Sequence, residues 1–288
     1  MRLVTYQSPS GPRVAGVREG ACIDLNRADP AVPACIKALL AEGAEGIRRA
    51  QRALAAGKPL PLEQVKLVPV IPSPEKIICI GLNYADHAAE TGVKPPPEPV
   101  VFSKFPTAVC GEWSPIVLPH LSREVDYEAE LVVVVGPGGR HIPKEQARKH
   151  IAAYCCGNDV SARDWQIRKP GGQWLLGKSF DTFAPIGPRL VTADEIPEPG
   201  NLKIQLRLNG RVMQNSSTAQ LIFPVEYLIS YLSDICTLCA GDLIFTGTPP
   251  GVGFARKPPV FLQPGDTVEV EIEKIGILRN PVVSERTV

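Results

Sequence analysis

Proline and glycine recur along the whole chain and restrict what it can fold into. The 288 residues include 30 prolines and 25 glycines, spread from end to end. Proline breaks helices because it lacks a backbone N–H group, and both residues mark turns. Frequent turns leave room only for short elements. The chain is therefore expected to be β-rich with many loops, and a helical bundle is excluded.

Apolar runs between the turns predict an α+β fold in two parts. Residues 1–27 predict two or three short strands, residues 34–56 one or two helices, and residues 65–70 another strand. Residues 1–71 are thus predicted to form a small N-terminal α/β module, and residues 72–288 a larger domain. In the larger part, strands are predicted at residues 76–80, 100–103, 116–118, 128–135, 154–160, 202–208, 242–247 and 267–272, and helices at 83–90, 144–153 and 225–236.

Composition and charge exclude several classes of protein. The net charge is +1, which gives no support to binding of nucleic acid or of a membrane surface. No segment approaches the roughly 20 consecutive apolar residues of a membrane span. The first residues indicate a strand and not a signal peptide. We therefore expect a protein of the cytoplasm or the mitochondrial matrix that is not secreted.

Eight cysteines do not predict a disulfide framework. The chain is far longer than the small secreted folds that depend on disulfides. Cys236 and Cys239 form a single CxxC pair, and one pair cannot complete a structural zinc site. Most of the other cysteines lie beside apolar residues, where free cysteine behaves as a small buried hydrophobe. We predict reduced cysteines with a structural role.

A row of carboxylates precedes the apolar run Leu131–Val135. Asp126, Glu128 and Glu130 alternate with other residues, so a strand would place all three on one face. Carboxylates this close repel one another unless a cation lies among them, and their oxygens suit Mg²⁺, Mn²⁺ or Ca²⁺. The alternative is an acidic, solvated strand edge. Asp159 closes another short strand that could lie beside the first, although Asn-Asp also occurs in ordinary turns.

Residues Gly172–Ser179 match the P-loop pattern GxxxxGK[ST]. That pattern needs a helix after the lysine, and Pro185 and Pro188 argue against one. The variable positions are Gln-Trp-Leu-Leu, which suit a phosphate-binding loop poorly. We interpret the match as coincidental. Lys178 remains of interest as a cation that could neutralise the carboxylates or bind an anionic substrate.

Two further sites have both a chemical and an ordinary interpretation. His87 and Glu90 lie three residues apart on a predicted helix, so they can form a general-base pair or merely a surface pair. Thr246–Gly253 reads Thr-Gly-Thr-Pro-Pro-Gly-Val-Gly after a strand. Thr248 in this segment could bind an anion through its hydroxyl and amide, or the segment could be an ordinary tight loop.

Together these segments resemble the fumarylacetoacetate hydrolase superfamily. The matching pieces, in the expected order, are Gly81–His87, Asp126–Leu131, Asn158–Asp164, Leu176–Asp181 and Thr246–Gly253. The resemblance implies a catalytic domain built as a β-sandwich roll of mixed sheets, preceded here by the small N-terminal α/β module. It also implies a homodimer that acts on a small keto acid.

The resemblance implies a role for each matching side chain. The implied ligands of Mg²⁺ or Mn²⁺ are Glu128, Glu130 and Asp159, with Asp126 just outside the ligand set. The implied substrate-binding side chains are Arg163, Gln166 and Thr248. The implied catalytic side chains are Lys178, beside the ion, and His87 and Glu90, which match a dyad on a mobile lid in related acylpyruvases and decarboxylases.

The resemblance implies several possible reactions, because the same site residues serve hydrolases, decarboxylases and isomerases of this superfamily. A 2-keto acid bound to a cation through its keto and carboxylate oxygens is stabilised as its enolate. The leading hypothesis is Mg²⁺-dependent keto–enol tautomerisation of oxaloacetate, a dicarboxylic keto acid. The alternatives within the fold are hydrolysis of acylpyruvates or fumarylpyruvate and decarboxylation of oxaloacetate. From other classes, a P-loop nucleotide binder and a non-catalytic metal-binding protein remain open.

Overall fold

Strands dominate the structure, as the sequence predicts. The structure, a computed structural model, describes residues 1–61, 65–92 and 94–285. The strands in these ranges are β1 (Arg2–Ser8), β2 (Gly11–Arg18), β3 (Ala21–Asp24), β4 (Lys66–Val68), β5 (Ile77–Gly81), β6 (Val100–Lys104), β7 (Val109–Cys110), β8 (Ile116–Leu118), β9 (Val125–Asp126), β10 (Ala129–Val135), β11 (Ile151–Asn158), β12 (Ser161–Ala162), β13 (Ala184–Thr192), β14 (Lys203–Leu208), β15 (Arg211–Ser217), β16 (Leu243–Phe245), β17 (Thr267–Ile272) and β18 (Gly276–Ser284). The α-helices are α1 (Leu25–Ala28), α2 (Ile36–Ala41), α3 (Gly43–Ala56), α4 (Ala85–Thr91), α5 (Arg163–Arg168), α6 (Leu175–Lys178) and α7 (Val225–Ile235). The predicted α+β, β-rich fold is confirmed.

Two mixed sheets pack face to face. The larger sheet has the order β3-β2-β1-β13-β11-β10-β16-β5-β6, with β4 paired to β1 and β7 to β13. The smaller has the order β15-β14-β17-β18-β8, and its strands β17 and β18 contact β11. Strands β10 and β11 are buried along their whole length, as expected for the central strands of a covered sheet. This is the sandwich that the sequence predicts.

The register between β10 and β11 positions the acidic side chains. The two strands are antiparallel, with Glu130 opposite Gly157 and Ala129 opposite Asn158. Gly157 is required here, because a Cβ atom would lie 2.4 Å from Val132 Cγ2. The start of β10 therefore meets the end of β11. Carboxylates from two separate segments of the sequence converge at this edge.

The N-terminal strands belong to the same sheet as the rest of the chain. Strand β1 is antiparallel to β13, with Leu3 opposite Leu190. Helices α1 to α3 pack on one another and on β2. Hydrogen bonds between β1 and β13 thus join the two predicted parts within one sheet. The division into residues 1–71 and 72–288 stays a prediction.

The predicted helix at residues 144–153 is wrong. Residues Lys144–His150 form a 3-10 helix, and strand β11 begins at Ile151. The polar residues before Ile151 favour a helix locally, but the apolar run that follows pairs with β10 and β13. Strand β13 was not predicted, because proline is uncommon within strands and this segment contains Pro185 and Pro188. Pro188 lies where the register of β11 with β13 shifts, and Pro185 lies opposite Cys110 of the short parallel strand β7.

No α-helix within the described ranges is long and apolar enough to cross a membrane. All eight cysteines are free thiols, four of them buried.

Candidate active site

Three carboxylates meet at the junction of β10 and β11. Ligand oxygens of Glu128, Glu130 and Asp159 all lie within 4.8 Å of one another, and all three side chains are buried. The backbone holds the cluster together. The Asp159 N–H group donates to the Glu128 carbonyl over 2.9 Å, and the Glu128 N–H group donates to Asn158 Oδ1 over 2.9 Å.

Two buried lysines lie against this cluster. Lys178 Nζ, at the end of α6, donates to Glu128 Oε2 over 2.9 Å and to Asp159 Oδ2 over 2.8 Å. Lys104 Nζ, at the end of β6, lies 2.6 Å from Asp159 Oδ1. Lys104 also donates to three backbone carbonyls, those of Val160, Lys178 and Phe183. Sequence reasoning found Lys178 but missed Lys104, whose only signal was a cation directly after a short apolar strand.

Asp126 does not share a strand face with Glu128 and Glu130, so the three-in-a-row prediction is wrong. It lies in the separate two-residue strand β9, which pairs with β12. Its Oδ2 accepts hydrogen bonds from Arg163 Nε and Nη2 over 2.9 and 2.8 Å, and Nη2 also lies 2.7 Å from Glu128 Oε1. Asp126 thus orients Arg163 toward the cluster, outside the three-carboxylate group.

The glycine-rich loop after β16 binds the protein's own carboxylates. The Gly247 N–H group donates to Glu130 Oε2 over 2.7 Å, and the Gly253 N–H group donates to Asp126 Oδ1 over 2.8 Å. The Gly251 N–H group donates to Glu90 over 3.1 Å. At Gly253 a Cβ atom would lie 1.8 Å from the Val260 carbonyl oxygen, so only glycine fits. These three glycine N–H groups are therefore committed to carboxylates of the protein itself.

The electrostatics of the cluster favour an added cation. Burial would raise the pKa of Glu128, but Lys178 and Arg163 outweigh it and lower that pKa to about 2. Burial, together with the neighbouring Asp159 and Glu128 charges, raises the pKa of Glu130 well above its ordinary value. The carboxylates of Asp126, Glu128, Glu130 and Asp159 face three cationic side chains, Lys104, Arg163 and Lys178. One of the four carboxyl groups is thus left without a cationic counterpart, and a metal ion could supply it.

The donor set fits a hard divalent metal ion. Its atoms are carboxylate oxygens, which suit Mg²⁺, Mn²⁺ and Ca²⁺ better than softer metals. Ligand oxygens of all three carboxyl groups are buried within 4.8 Å of one another, and buried negative charges this close together are costly unless cations lie among them. The residues present therefore match the group that the sequence predicts.

A cavity of about 200 Å³ opens onto the cluster. The predicted site residues that line it are His87, Glu128, Glu130, Arg163, Gln166, Lys178 and Thr248. Asp159 is not part of this lining but contacts Lys178, which is, and the exposed Glu90 contacts His87. His87 Nδ1 lies 3.1 Å from Glu90 Oε2, so α4 carries the predicted pair into contact. The structure thus brings all nine predicted site residues to one place.

Gln214 on β15 also positions this site, and sequence reasoning missed it. Its Oε1 accepts the Ala129 N–H group over 2.9 Å, and its Nε2 donates to Thr248 Oγ1 over 2.8 Å and to the Pro249 carbonyl over 2.7 Å. One buried amide thus joins the smaller sheet to the start of β10 and to the glycine-rich loop. A polar residue in a strand gives no sequence signal of such a role.

The P-loop interpretation has no structural support. Residues Pro170–Gly172 form a 3-10 turn, and α6 ends at Lys178, where a P-loop helix would have to begin. Gly177 has a packing role, because a Cβ atom there would lie 2.5 Å from the Gln166 backbone nitrogen. The match to GxxxxGK[ST] is therefore coincidental.

A comparison with known families decides the membership of the chain. The fumarylacetoacetate (FAA) hydrolase C-terminal profile matches residues 76–283. The chain belongs to the fumarylacetoacetate hydrolase family. The matched segment contains the three carboxylates, both buried lysines, the His87–Glu90 pair and the glycine-rich loop. The family predicted from the sequence motifs is confirmed.

Curated relatives and solved structures cover nearly the whole chain. It is 48% identical over 288 residues to "Oxaloacetate tautomerase FAHD2A, mitochondrial" of Bos taurus, covering 98% of this chain and 92% of the relative. The protein of the same name from Homo sapiens is 47% identical over 289 residues, with the same coverage. The fumarylacetoacetate hydrolase of Exiguobacterium antarcticum matches with a TM-score of 0.86 and 34% identity over 99% of this chain and 100% of that one. A maleylpyruvate hydrolase from Sphingobium sp. SYK-6, in complex with manganese(II) and pyruvate, matches with a TM-score of 0.81 and 30% identity over the same shares.

Proposed function

We propose that this protein is a Mg²⁺-dependent enzyme that interconverts the keto and enol forms of oxaloacetate. The observation that carries the proposal is the buried group of Glu128, Glu130 and Asp159 at the base of a small cavity that His87 also lines. The names of the relatives that match nearly the whole chain support the same reaction and substrate.

Glu128, Glu130 and Asp159 would hold the metal ion. Their oxygens suit Mg²⁺, and the two buried lysines keep the cluster from carrying a larger negative charge. A bound divalent ion would supply positive charge to the keto oxygen of a 2-keto acid as that oxygen becomes an enolate. The same donors suit Mn²⁺, which the related maleylpyruvate hydrolase structure contains.

Gln166 and Thr248 are placed to orient the substrate. Both are buried and line the cavity, and Gln166 accepts a hydrogen bond from Arg163 Nη1 over 2.9 Å. Thr248 Oγ1 accepts from Gln214, so its own hydroxyl hydrogen is left to donate to a substrate oxygen. Arg163 is committed to Asp126 and Glu128, and its main contribution is charge.

His87 is the better candidate for moving the proton. Burial would lower the pKa of Lys178, but the carboxylates of Asp159 and Glu128 outweigh it and raise that pKa. Lys178 therefore stays an ammonium group and stabilises negative charge. His87 lines the cavity and contacts Glu90, which can orient the imidazole and stabilise its charged form. It would take the proton from the carbon beside the keto group and deliver it, directly or through a water molecule, to the former keto oxygen, which gives the enol. The reverse transfer, from the enol oxygen to the carbon, gives the keto acid.

The alternative is cleavage of a carbon–carbon bond at the same site. The similarity to a maleylpyruvate hydrolase that binds manganese(II) and pyruvate favours this candidate. In that reaction His87 would activate a water molecule, which would attack a second carbonyl of the substrate. Decarboxylation of oxaloacetate belongs to the same group of alternatives.

One experiment separates these reactions. Enol-rich oxaloacetate is added to chelator-treated protein, and enol absorbance and CO₂ release are followed together with and without Mg²⁺. Tautomerisation predicts enol loss that requires Mg²⁺, releases no CO₂ and is abolished in Glu128→Gln. The matched control is Glu273→Gln, which changes an exposed carboxylate far from the cavity. Stoichiometric CO₂ release, or enol loss that is independent of protein, would overturn the proposal.

We further propose that the protein acts as a homodimer in the cytoplasm or the mitochondrial matrix. Three large apolar side chains on or near α5 and α6 are more than half exposed: Leu121, Ile167 and Leu176. Burial of these side chains against a second copy of the chain would remove apolar surface from water, which supports self-association. The relatives are named as mitochondrial proteins. Sedimentation velocity tests the dimer, and a single monomeric species at micromolar concentration would contradict it.

A further inference from the structure

The cavity has two chemically different sides. The polar side carries the carboxylates, cations and hydroxyl described above. The apolar part of the lining consists of Ile80, Leu82, Phe102, Ile167 and Trp174. We call these five residues the apolar wall. No step of the proposed reaction uses it, yet it faces any keto acid held at the carboxylate cluster.

Trp174 is the largest side chain of the apolar wall, and its neighbours hold it in place. Its ring meets Phe102 edge-to-face, with ring centroids 5.3 Å apart at 65°. On strand β5, Gly81 lies so close that a Cβ atom there would be 2.7 Å from Trp174 Cζ3. The indole therefore has little room to move back toward β5.

The position of Trp174 is coupled to that of Lys178. Trp174 immediately precedes α6, the four-residue helix that ends at Lys178. Phe102 contacts both residues, because the Lys178 ammonium group lies 4.9 Å from the centre of the Phe102 ring. Phe102 and the short helix α6 thus link the position of the indole to that of the Lys178 ammonium group.

We propose that Trp174 limits the length of the keto acid that this site accepts. Because Phe102 and Gly81 hold the indole at the lining of this small cavity, it leaves room for a four-carbon 2-keto dicarboxylic acid and obstructs longer members of that series. This inference rests on the proposed function, since it assigns the substrate class of the same site. A size limit in a rigid apolar pocket is worth roughly 10–200-fold for each methylene group.

The test uses 2-keto dicarboxylic acids of four, five and six carbons. Proton NMR in D₂O measures the Mg²⁺-dependent exchange of deuterium at the carbon beside the keto group, above the rate without protein. Wild type is expected to act on the four-carbon acid. Trp174→Ala is expected to raise the six-carbon to four-carbon rate ratio by about tenfold or more, whereas Trp174→Phe retains the selectivity. Trp113→Ala, which removes a 63% exposed indole elsewhere, is the matched control and leaves the ratio unchanged.

Gly81→Ala provides a second variant that does not remove the indole. The added methyl group displaces Trp174 and is expected to lower the rate on the four-carbon acid. In the Trp174→Ala background the same methyl group meets no indole, so its effect is expected to disappear. An equal loss in both backgrounds would overturn the proposal, because the methyl group would then act through some other contact.

A binding measurement tests the size limit set by Trp174 separately from catalysis. Calorimetric titration of Mg²⁺-loaded protein with the five- and six-carbon acids reports selectivity without turnover. Tighter binding of both acids to Trp174→Ala than to wild type supports the size limit, even if wild type catalyses no exchange and the proposed tautomerase fails. Equal binding to the two proteins, or weaker binding to Trp174→Ala, overturns it.

Discussion

Substitution of Lys104 is expected to lower the free energy of unfolding more than any other substitution at the site. It is fully buried, is paired with Asp159 and donates to three backbone carbonyls. Lys104→Met keeps much of the side-chain volume but leaves one carboxylate and three carbonyls without their donor. We expect the free energy of unfolding in urea to fall by about 3–5 kcal/mol.

Lys203→Met is the matched control for this change. Lys203 lies on β14 and is exposed, so its substitution is expected to alter stability by less than about 0.5 kcal/mol. Equal effects of the two substitutions would show that Lys104 has no special role.

A substitution at Glu130 tests whether its negative charge opposes folding when no metal ion is bound. Glu130→Gln removes a charge that burial and two neighbouring carboxylates disfavour, and it can still accept the Gly247 N–H group. Without metal, the variant is therefore expected to melt at or above the temperature of wild type. With Mg²⁺ at about 100 times its Kd, wild type is expected to gain about 2.7 kcal/mol and the variant much less. Calorimetric melting of both proteins with and without Mg²⁺ measures this, and an equal gain in both would contradict it.

At the scale of elements, Gln214 joins strand β15 to the site. Gln214→Leu removes the three hydrogen bonds that hold Ala129, Thr248 and Pro249 in register. We expect kcat/KM to fall by about 10–100-fold, as is typical when a residue that orients metal or substrate ligands is lost. Gln205→Leu on the paired strand β14 is the control, since the side chain of Gln205 makes a single long hydrogen bond within the described residues, 3.5 Å from its Nε2 to Asn215 Oδ1. Steady-state kinetics with equal losses in both variants would refute this role for Gln214.

Asp24 stabilises the N-terminal strands and helix α1 in a way that depends on pH. Burial would raise its pKa, but hydrogen bonds from Arg13, Tyr6 and the Arg27 N–H group outweigh burial and lower it. A carboxyl group whose pKa is lower in the folded state contributes stability above its unfolded pKa, which is about 3.9. That stability is lost as the pH falls through the folded pKa.

Asp24→Asn is therefore expected to cost about 1–3 kcal/mol at pH 7. The difference from wild type should shrink as the pH falls below about 4. Urea unfolding of both proteins between pH 7 and pH 2.5 measures it. A difference that stays constant over this range would contradict the assigned cause.

How well each element could be predicted from the sequence depended on whether its signal was local. The apolar runs at β10 and β11 lie close together in the sequence, so their strands and the carboxylates beside them were predictable. Strand β13 was hidden by its two prolines, and the start of β11 by the polar residues before it. The positions of Lys104 and Gln214 depend on which strands become neighbours in each sheet, and a pattern along one sequence does not encode that order.

At the scale of the whole molecule, two sheets and one loop converge on the carboxylate cluster. The larger sheet supplies Glu130 and Lys104, the smaller supplies Gln214, and the glycine-rich loop supplies amides to Glu130 and Asp126. The site is thus built on rigid elements, which favours precise positioning of a metal and its substrate. The family motifs identified its residues, but their mutual contacts emerge only from the assembled fold.

In the proposed reaction, enol turnover requires one divalent ion held by Glu128, Glu130 and Asp159. The most direct test measures Mn²⁺ binding by electron paramagnetic resonance and enol loss on the same samples of wild type, Glu128→Gln, Glu130→Gln and Asp159→Asn. We predict one tightly bound ion per wild-type chain, and a parallel loss of ion binding and turnover in each variant. Turnover that persists in metal-free wild type, or undiminished ion binding in all three variants, would contradict the claim.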